Sequence, residues 1–405
     1  MKDKTQRLWS RDFVIVMLAS SGISFCNYFF VSTLPIYAQN ITGTTFSAGL
    51  MTAVFTFAAL ATRPFTGILT DKVGRVKLLV AGAVLCAAAS ILYRFSTVIV
   101  ILILVRTLHG IGFGIHTTCG GAAAADIIPK SRLSEGLGIF GLYGTIASAL
   151  APAIALGIIG TGENERFLPL FTLSAVIAVI CAILDMMIRY ERGKPKSSNN
   201  GIPTVEEAVC SSVPLPRLYM GFEKGVFIPA VVLILVFIAI STLAAFLTIF
   251  SRDMRLGDIG LFFTISAAGM LSSRLLFGKV ADRRGADIVV IPALAAIIPC
   301  LALIPFAPSR FYLFVLAFPL GLAQGIVCPA VNSMMFQRCS PKRRGSASAA
   351  YFAAIDLGYG IGAFLFGIVA EKLGFNFVWW GSALFALMAF VIYLVFLRGK
   401  DTKVT

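Results

Sequence analysis

Charge is scarce in this chain, and it is missing in long stretches. Asp, Glu, Lys and Arg make up 13% of its 405 residues against 58% hydrophobic, whereas soluble domains are roughly a quarter charged. No charged residue occurs from Phe13 to Thr62, Gly136 to Gly162, Gly225 to Ser251, Phe311 to Gln337 or Leu373 to Leu397. A soluble globular domain is thereby excluded. There are only two histidines, and the eight cysteines show no C-x-x-C spacing. Cys86, Cys181 and Cys300 lie in apolar runs, where a small packing residue is the expected role rather than a disulfide or metal ligand. The sequence has no P-loop, no metal-ligand cluster and no nucleophile motif, which argues against an enzyme and against ATP drive. It also lacks the alternating segments of about ten residues that mark a transmembrane β-barrel.

What remains is apolar length. At 1.5 Å per residue, about 20 apolar residues cross a hydrocarbon core of roughly 30 Å. Turn signals divide the chain into twelve such spans, near 12–38, 46–69, 76–94, 97–125, 135–160, 167–188, 225–250, 257–279, 288–307, 310–337, 344–370 and 374–397. Backbone polar groups must be satisfied inside lipid, so helices are expected. The N-terminal MKDKTQRLWSR precedes an apolar stretch too long for a signal-peptide core, and it is expected to stay as the lead-in to the first span.

The net charge of +15 suggests a nucleic-acid partner until its placement is considered. With the first tail in the cytoplasm, most Lys and Arg residues fall on one side, which is the positive-inside bias and puts both termini in the cytoplasm of a cell-membrane protein. No nucleic-acid partner is expected. Between Arg189 and Lys224 the chain turns rich in Ser, Pro, Asn and charge, too polar to order itself. The expected organisation is a six-helix bundle over 1–188, a cytoplasmic linker over 189–224 and a second bundle over 225–405.

The halves share a pattern. Arg63-x-x-x-Gly67-x-x-x-Asp71-x-x-Gly74 recurs 211 residues later as Arg274-x-x-x-Gly278-x-x-x-Asp282-x-x-Gly285, each copy closing one apolar segment and opening another. An internally duplicated apolar chain is the mark of many secondary transporters.

The first copy, Gly67-Ile-Leu-Thr-Asp71-Lys72-Val-Gly74-Arg75-Val-Lys77, resembles the signature of the major facilitator superfamily between helices 2 and 3, with Val76 where a basic residue is usual. Hydropathy, length and duplication extend the resemblance to the whole chain. It implies an all-α membrane protein of twelve transmembrane helices in two pseudosymmetric bundles. It also implies a cytoplasmic gate formed by Gly67, Asp71, Gly74, Arg75, Gly278, Asp282 and Gly285. Asp71 would face the start of helix 11 near Gly345 to Ala347, and Asp282 the start of helix 5 near Gly136. Glycines permit the tight approach, and an aspartate suits the positive end of a neighbouring helix.

Polar groups inside the spans are the candidates for function. Arg106, in Leu104-Val-Arg106-Thr-Leu-His109-Gly110, resembles a helix-4 signature tied to proton transfer in proton-coupled members. A cation within the membrane costs from about 3 to above 10 kcal/mol and usually faces a cavity or a partner. His109 and His116 lie about 20° apart on a helical wheel, so they share a face on which they could relay protons, contact an anionic substrate or simply pack. Asp356 is read as the only acid deep within a span, a carboxyl group whose affinity for protons burial can tune, and Arg106 is expected to be its electrostatic modulator or a substrate contact. Helix 5, Gly141 to Ala155 around Pro152, resembles the glycine-proline signature of the exporter branches, with Ala151 and Ala155 in place of glycines. Asn27, Tyr28, Gln324, Asn332 and Tyr359 are expected to line the substrate path.

The expected function is export of a small amphipathic organic compound, a drug or metabolite, by proton antiport with alternating access. The partners would be that small molecule, the proton and the lipid bilayer, with the chain a monomer and no cofactor. The alternatives are a proton-coupled importer or facilitator of a sugar or small organic anion, and, in another class, a nontransporting membrane receptor or scaffold.

Overall fold

The computed structural model describes residues 8–129, 132, 136, 139–160, 162–191, 218–219, 222–284, 286–338 and 344–399. Its helices follow the apolar runs: α1 (Arg11–Thr42), α2 (Phe46–Val73), α3 (Arg75–Leu92), α4 (Ile99–Ile127), α5 (Leu142–Ile159), α6 (Phe167–Met186), α7 (Lys224–Asp253), α8 (Gly260–Arg284), α9 (Asp287–Ala302), α10 (Arg310–Gln337), α11 (Arg344–Leu373) and α12 (Phe375–Ile392). Among the described residues, ten are long and apolar enough to cross a membrane. The apolar parts of the other two, Gly260–Ser273 and Asp287–Ala302, are shorter.

Local chemistry sets the ends. Ser10 caps α1, its hydroxyl accepting from Phe13 N at 3.2 Å, and Gly43 closes the helix in the left-handed region at φ 72°, where a side chain would be strained. Gly74, at φ 96°, makes the turn between α2 and α3. The helix expected from residue 135 has a turn at Gly141, after which α5 runs on continuously. Pro35, Pro64, Pro152 and Pro229 lie inside helices, as membrane helices tolerate. The stretch expected to be a featureless linker contains a short antiparallel pairing, β1 (Leu218–Tyr219) with β2 (Phe222–Glu223). Residues 192–217 lie outside the described ones.

The two halves pack alike. In the first, α3 packs on α4, α2 on α4, α3 on α6, and α1 on α5 and α6. In the second, α9 packs on α10, α8 on α10, α9 on α12, and α7 on α11 and α12. The duplication reaches the packing itself. A Cβ on Gly110 or Gly114 of α4 would strike α2 backbone, and one on Gly321 or Gly325 of α10, 211 residues on, would strike α8. Small residues allow this close approach where lipid supplies no hydrophobic drive.

Between the halves, α2 lies along α11, α5 along α8 and α1 against α7. Contacts are dense at the far end, opposite the chain termini. Phe29, Leu34, Phe246, Ile249, Ala363 and Phe366 form part of one buried cluster there, and Gly49 sits against the Ala363 carbonyl. Thr248 donates to Ser32 O at 3.3 Å and Thr264 to Ala149 O at 2.9 Å.

Candidate functional site

Asp356 is engaged by Arg63, not by Arg106. Arg63 Nε donates to Asp356 Oδ2 at 2.6 Å, with Nη2 3.5 Å from Oδ1. The guanidinium lies over the Phe352 ring at 5.4 Å from its centroid. The pair joins α2 to α11 and therefore one half to the other. Its side chains keep 19% and 12% of their surface accessible.

Tyr143 connects the pair to polar groups on other helices. Tyr143 of α5 lies within Coulombic reach of Arg63 and of Tyr28 on α1, and it faces Ser24. Tyr359 faces the Gln324 amide of α10, with Tyr28 and Cys328 in reach, and packs on Phe237 of α7 at 5.2 Å. Tyr28, Gln324 and Tyr359, expected to line the path, are thus brought together. Arg63 and Tyr143 join them. Asn27 is buried, and both Asn27 Oδ1 and Asn332 Oδ1 lack a protein partner.

The modulator role expected of Arg106 is overturned by its surroundings. Its Nε donates to Met51 O at 3.2 Å, Nη1 lies 3.4 Å from His109 Nδ1, and the guanidinium sits 4.1 Å above the Phe55 ring. Tyr93 Oη is also 3.2 Å from His109 Nδ1. Arginine has only donors, so Nδ1 must accept, which places the ring proton on Nε2 in a neutral imidazole. Phe30 and Phe55 wall the ring at 5.4 and 5.5 Å.

His116 belongs to a different environment. Its Nε2 is 3.0 Å from Asp185 Oδ2, and both side chains have no accessible surface. Helical phase puts the two histidines on one face, but among the described residues they have separate partners. Asp185 also corrects the reading of Asp356 as the only deep acid. It lies one residue before the end of α6 and is fully buried.

At the terminal end, Arg75 N and Val76 N donate to Glu191 at 2.8 and 3.1 Å, which places a carboxylate on the N-terminus of α3. The Arg75 side chain pairs with Asp126 of α4. A Cβ on Gly67 would meet nothing. The side chains of Asp71, Arg274 and Asp282 lie outside the described residues, as do those of residues 344–349. Gly278 is placed in α8 by backbone alone, and Gly285 lies outside the described residues. At the far end, Glu371 of α11 accepts from Thr45 N and Phe46 N at 2.6 and 3.2 Å, supplying the cap that Thr45 does not make itself.

Two bundles that pack alike and a partly accessible ion pair that bridges them are the frame of a multi-pass membrane protein. The family model of the Major Facilitator Superfamily matches residues 16–257 and 230–405, and the chain belongs to that family of transporters. It is 27% identical to the multidrug resistance protein MdtG of Citrobacter koseri over 91% of each chain. It is 20% identical to the staphylopine export protein of Staphylococcus aureus, over 97% of this chain and 96% of that one. The fold also matches the solved xylose transporter XylE from E. coli, with a TM-score of 0.71 at 15% identity over 96% of this chain and 97% of that one. The nucleoside transporter NupG gives 0.72 at 13% identity over 95% and 98%.

Proposed function

We propose that the protein exports a small amphipathic organic compound across the cell membrane by proton antiport, its two bundles rocking about the central cleft. The Arg63–Asp356 pair carries this reading, because it is reachable, joins the halves and contains a carboxyl group that can change charge. Protonating Asp356 removes the anion that holds Arg63 and frees α2 from α11 at that depth. Two relatives named as a multidrug resistance protein and an export protein support the outward direction. Both termini and the linker are assigned to the cytoplasm by the positive-inside bias, with the two bundles at 1–188 and 225–405 and the chain acting as a monomer. The described far-end contacts would then be the closed external side. Asp71 and Arg75, with their counterparts in the second half, would gate the internal side.

The test is counterflow and pH-driven flux in proteoliposomes, using substrates found in a drug and metabolite panel. Asp356→Asn is expected to abolish the response to a pH gradient while solute exchange persists. Gradient-driven accumulation by the substituted protein would remove the proton role. A reachable guanidinium also fits an importer or facilitator of a small organic anion, and wild-type equilibration that ignores the pH gradient would favour the facilitator.

A further inference from the structure

The ion pair bears on which solutes the cleft accepts. A carboxylate exposed alone in a low-dielectric cleft attracts organic cations. Here Arg63 already occupies the Asp356 carboxylate, with one bond at 2.6 Å and a second contact at 3.5 Å, and rests on Phe352, the aromatic face that would otherwise be open to a cation. An incoming monocation must expel a guanidinium and leave it unpaired among apolar helices, which costs more than the exchange returns. A solute with an anionic group meets no such penalty. Its carboxylate, sulfonate or phosphonate takes the two-pronged donor geometry that arginine offers, and an amine on the same solute takes Asp356, so that each charge in the cleft is replaced by its like. The Tyr143 hydroxyl, in reach of Arg63, adds a neutral hydrogen-bonding partner that does not change this charge preference.

Resting on the reading of this cleft as the transport site, we infer that Arg63 is its specificity-determining residue. It excludes lipophilic monocations and receives the anionic group of an acid-bearing, preferentially zwitterionic substrate. Equilibrium binding of tetraphenylphosphonium and of its anion of matched size, tetraphenylborate, to the full chain in nanodiscs tests this, with empty nanodiscs as background.

Arg63→Gln is expected to shift the cation-to-anion binding ratio toward the cation by tenfold or more. The further change to Arg63→Gln with Asp356→Asn removes that gain, and Arg63→Lys holds the ratio within about threefold of wild type. A ratio that Arg63→Gln leaves unchanged, including no specific binding by any protein, overturns the inference. So does wild-type binding of the cation as tight as in Arg63→Gln. If Arg63→Gln fails to fold, the comparison of wild type with Arg63→Lys decides, because loss of cation exclusion in a variant that keeps the charge also overturns it. The assay uses no gradient, so a failed proton role for Asp356 would leave this result standing, and failure here would leave gradient-driven export standing.

Discussion

Two acid–base pairs in this protein use similar chemistry for opposite ends. His116 and Asp185 sit within one half, with no accessible surface, and each keeps a second polar atom without a protein partner, His116 Nδ1 and Asp185 Oδ1. Arg63 and Asp356 sit between halves and remain partly open. The first pair is locked by its surroundings, because a buried partner left alone has no water to turn to. Location relative to the boundary between the halves, more than the residues themselves, separates the two pairs.

The sharpest way to break that contrast is Asp185→Ala. Removing one member of a buried pair costs about 3–5 kcal/mol, so the unfolding midpoint in detergent should fall markedly, and adding His116→Leu should restore part of it. A melt like wild type would put the pair in the same class as the cleft pair. Next in size, Asp356→Asn should lower pH-driven flux at least tenfold while moving the midpoint less than Asp185→Ala does, because the amide oxygen still accepts from Arg63.

The contrast extends to glycines. Gly49→Leu would drive a side chain into the Ala363 backbone across the boundary, and Gly321→Leu into Ser266 within one half. The first should shift far-end cysteine labelling several-fold with modest loss of stability, and the second should mainly lower the melting point. The smallest effect is expected from Glu371→Gln, which keeps an acceptor at Thr45 N and Phe46 N but loses its charge. A two- to five-fold rise in the far-end-open population, read by spin-label distances, follows from the weaker hydrogen bond.

Much of the fold was legible because the membrane imposes length and silence of charge: the spans expected near 46–69 and 310–337 are α2 and α10 almost residue for residue. The pairings were not legible. Arg63 stood in the repeated motif, yet its partner lies 293 positions away, and no local period reports such a distance. Arg106 offered itself as the partner because it is the cation deepest in a span, whereas the Met51 carbonyl, His109 and Phe55 already hold it. Asp185 is near the end of α6, and position along that helix does not report that the side chain is buried against His116 of another helix. Tyr28, Gln324 and Tyr359, singled out as polar groups within spans, do lie near one another.

Pro64 follows Arg63 directly, and its missing N–H leaves the helix one bond short at that turn. Thr62, Thr66 and Thr70 each return a hydroxyl to the carbonyl four residues back, at 2.7, 2.9 and 2.6 Å, an arrangement that favours bending. The backbone of α2 is thereby weakened beside the residue that grips Asp356. Were protonation to release Arg63 as proposed, the stretch from Pro64 to the turn at Gly74 would be the lever it swings.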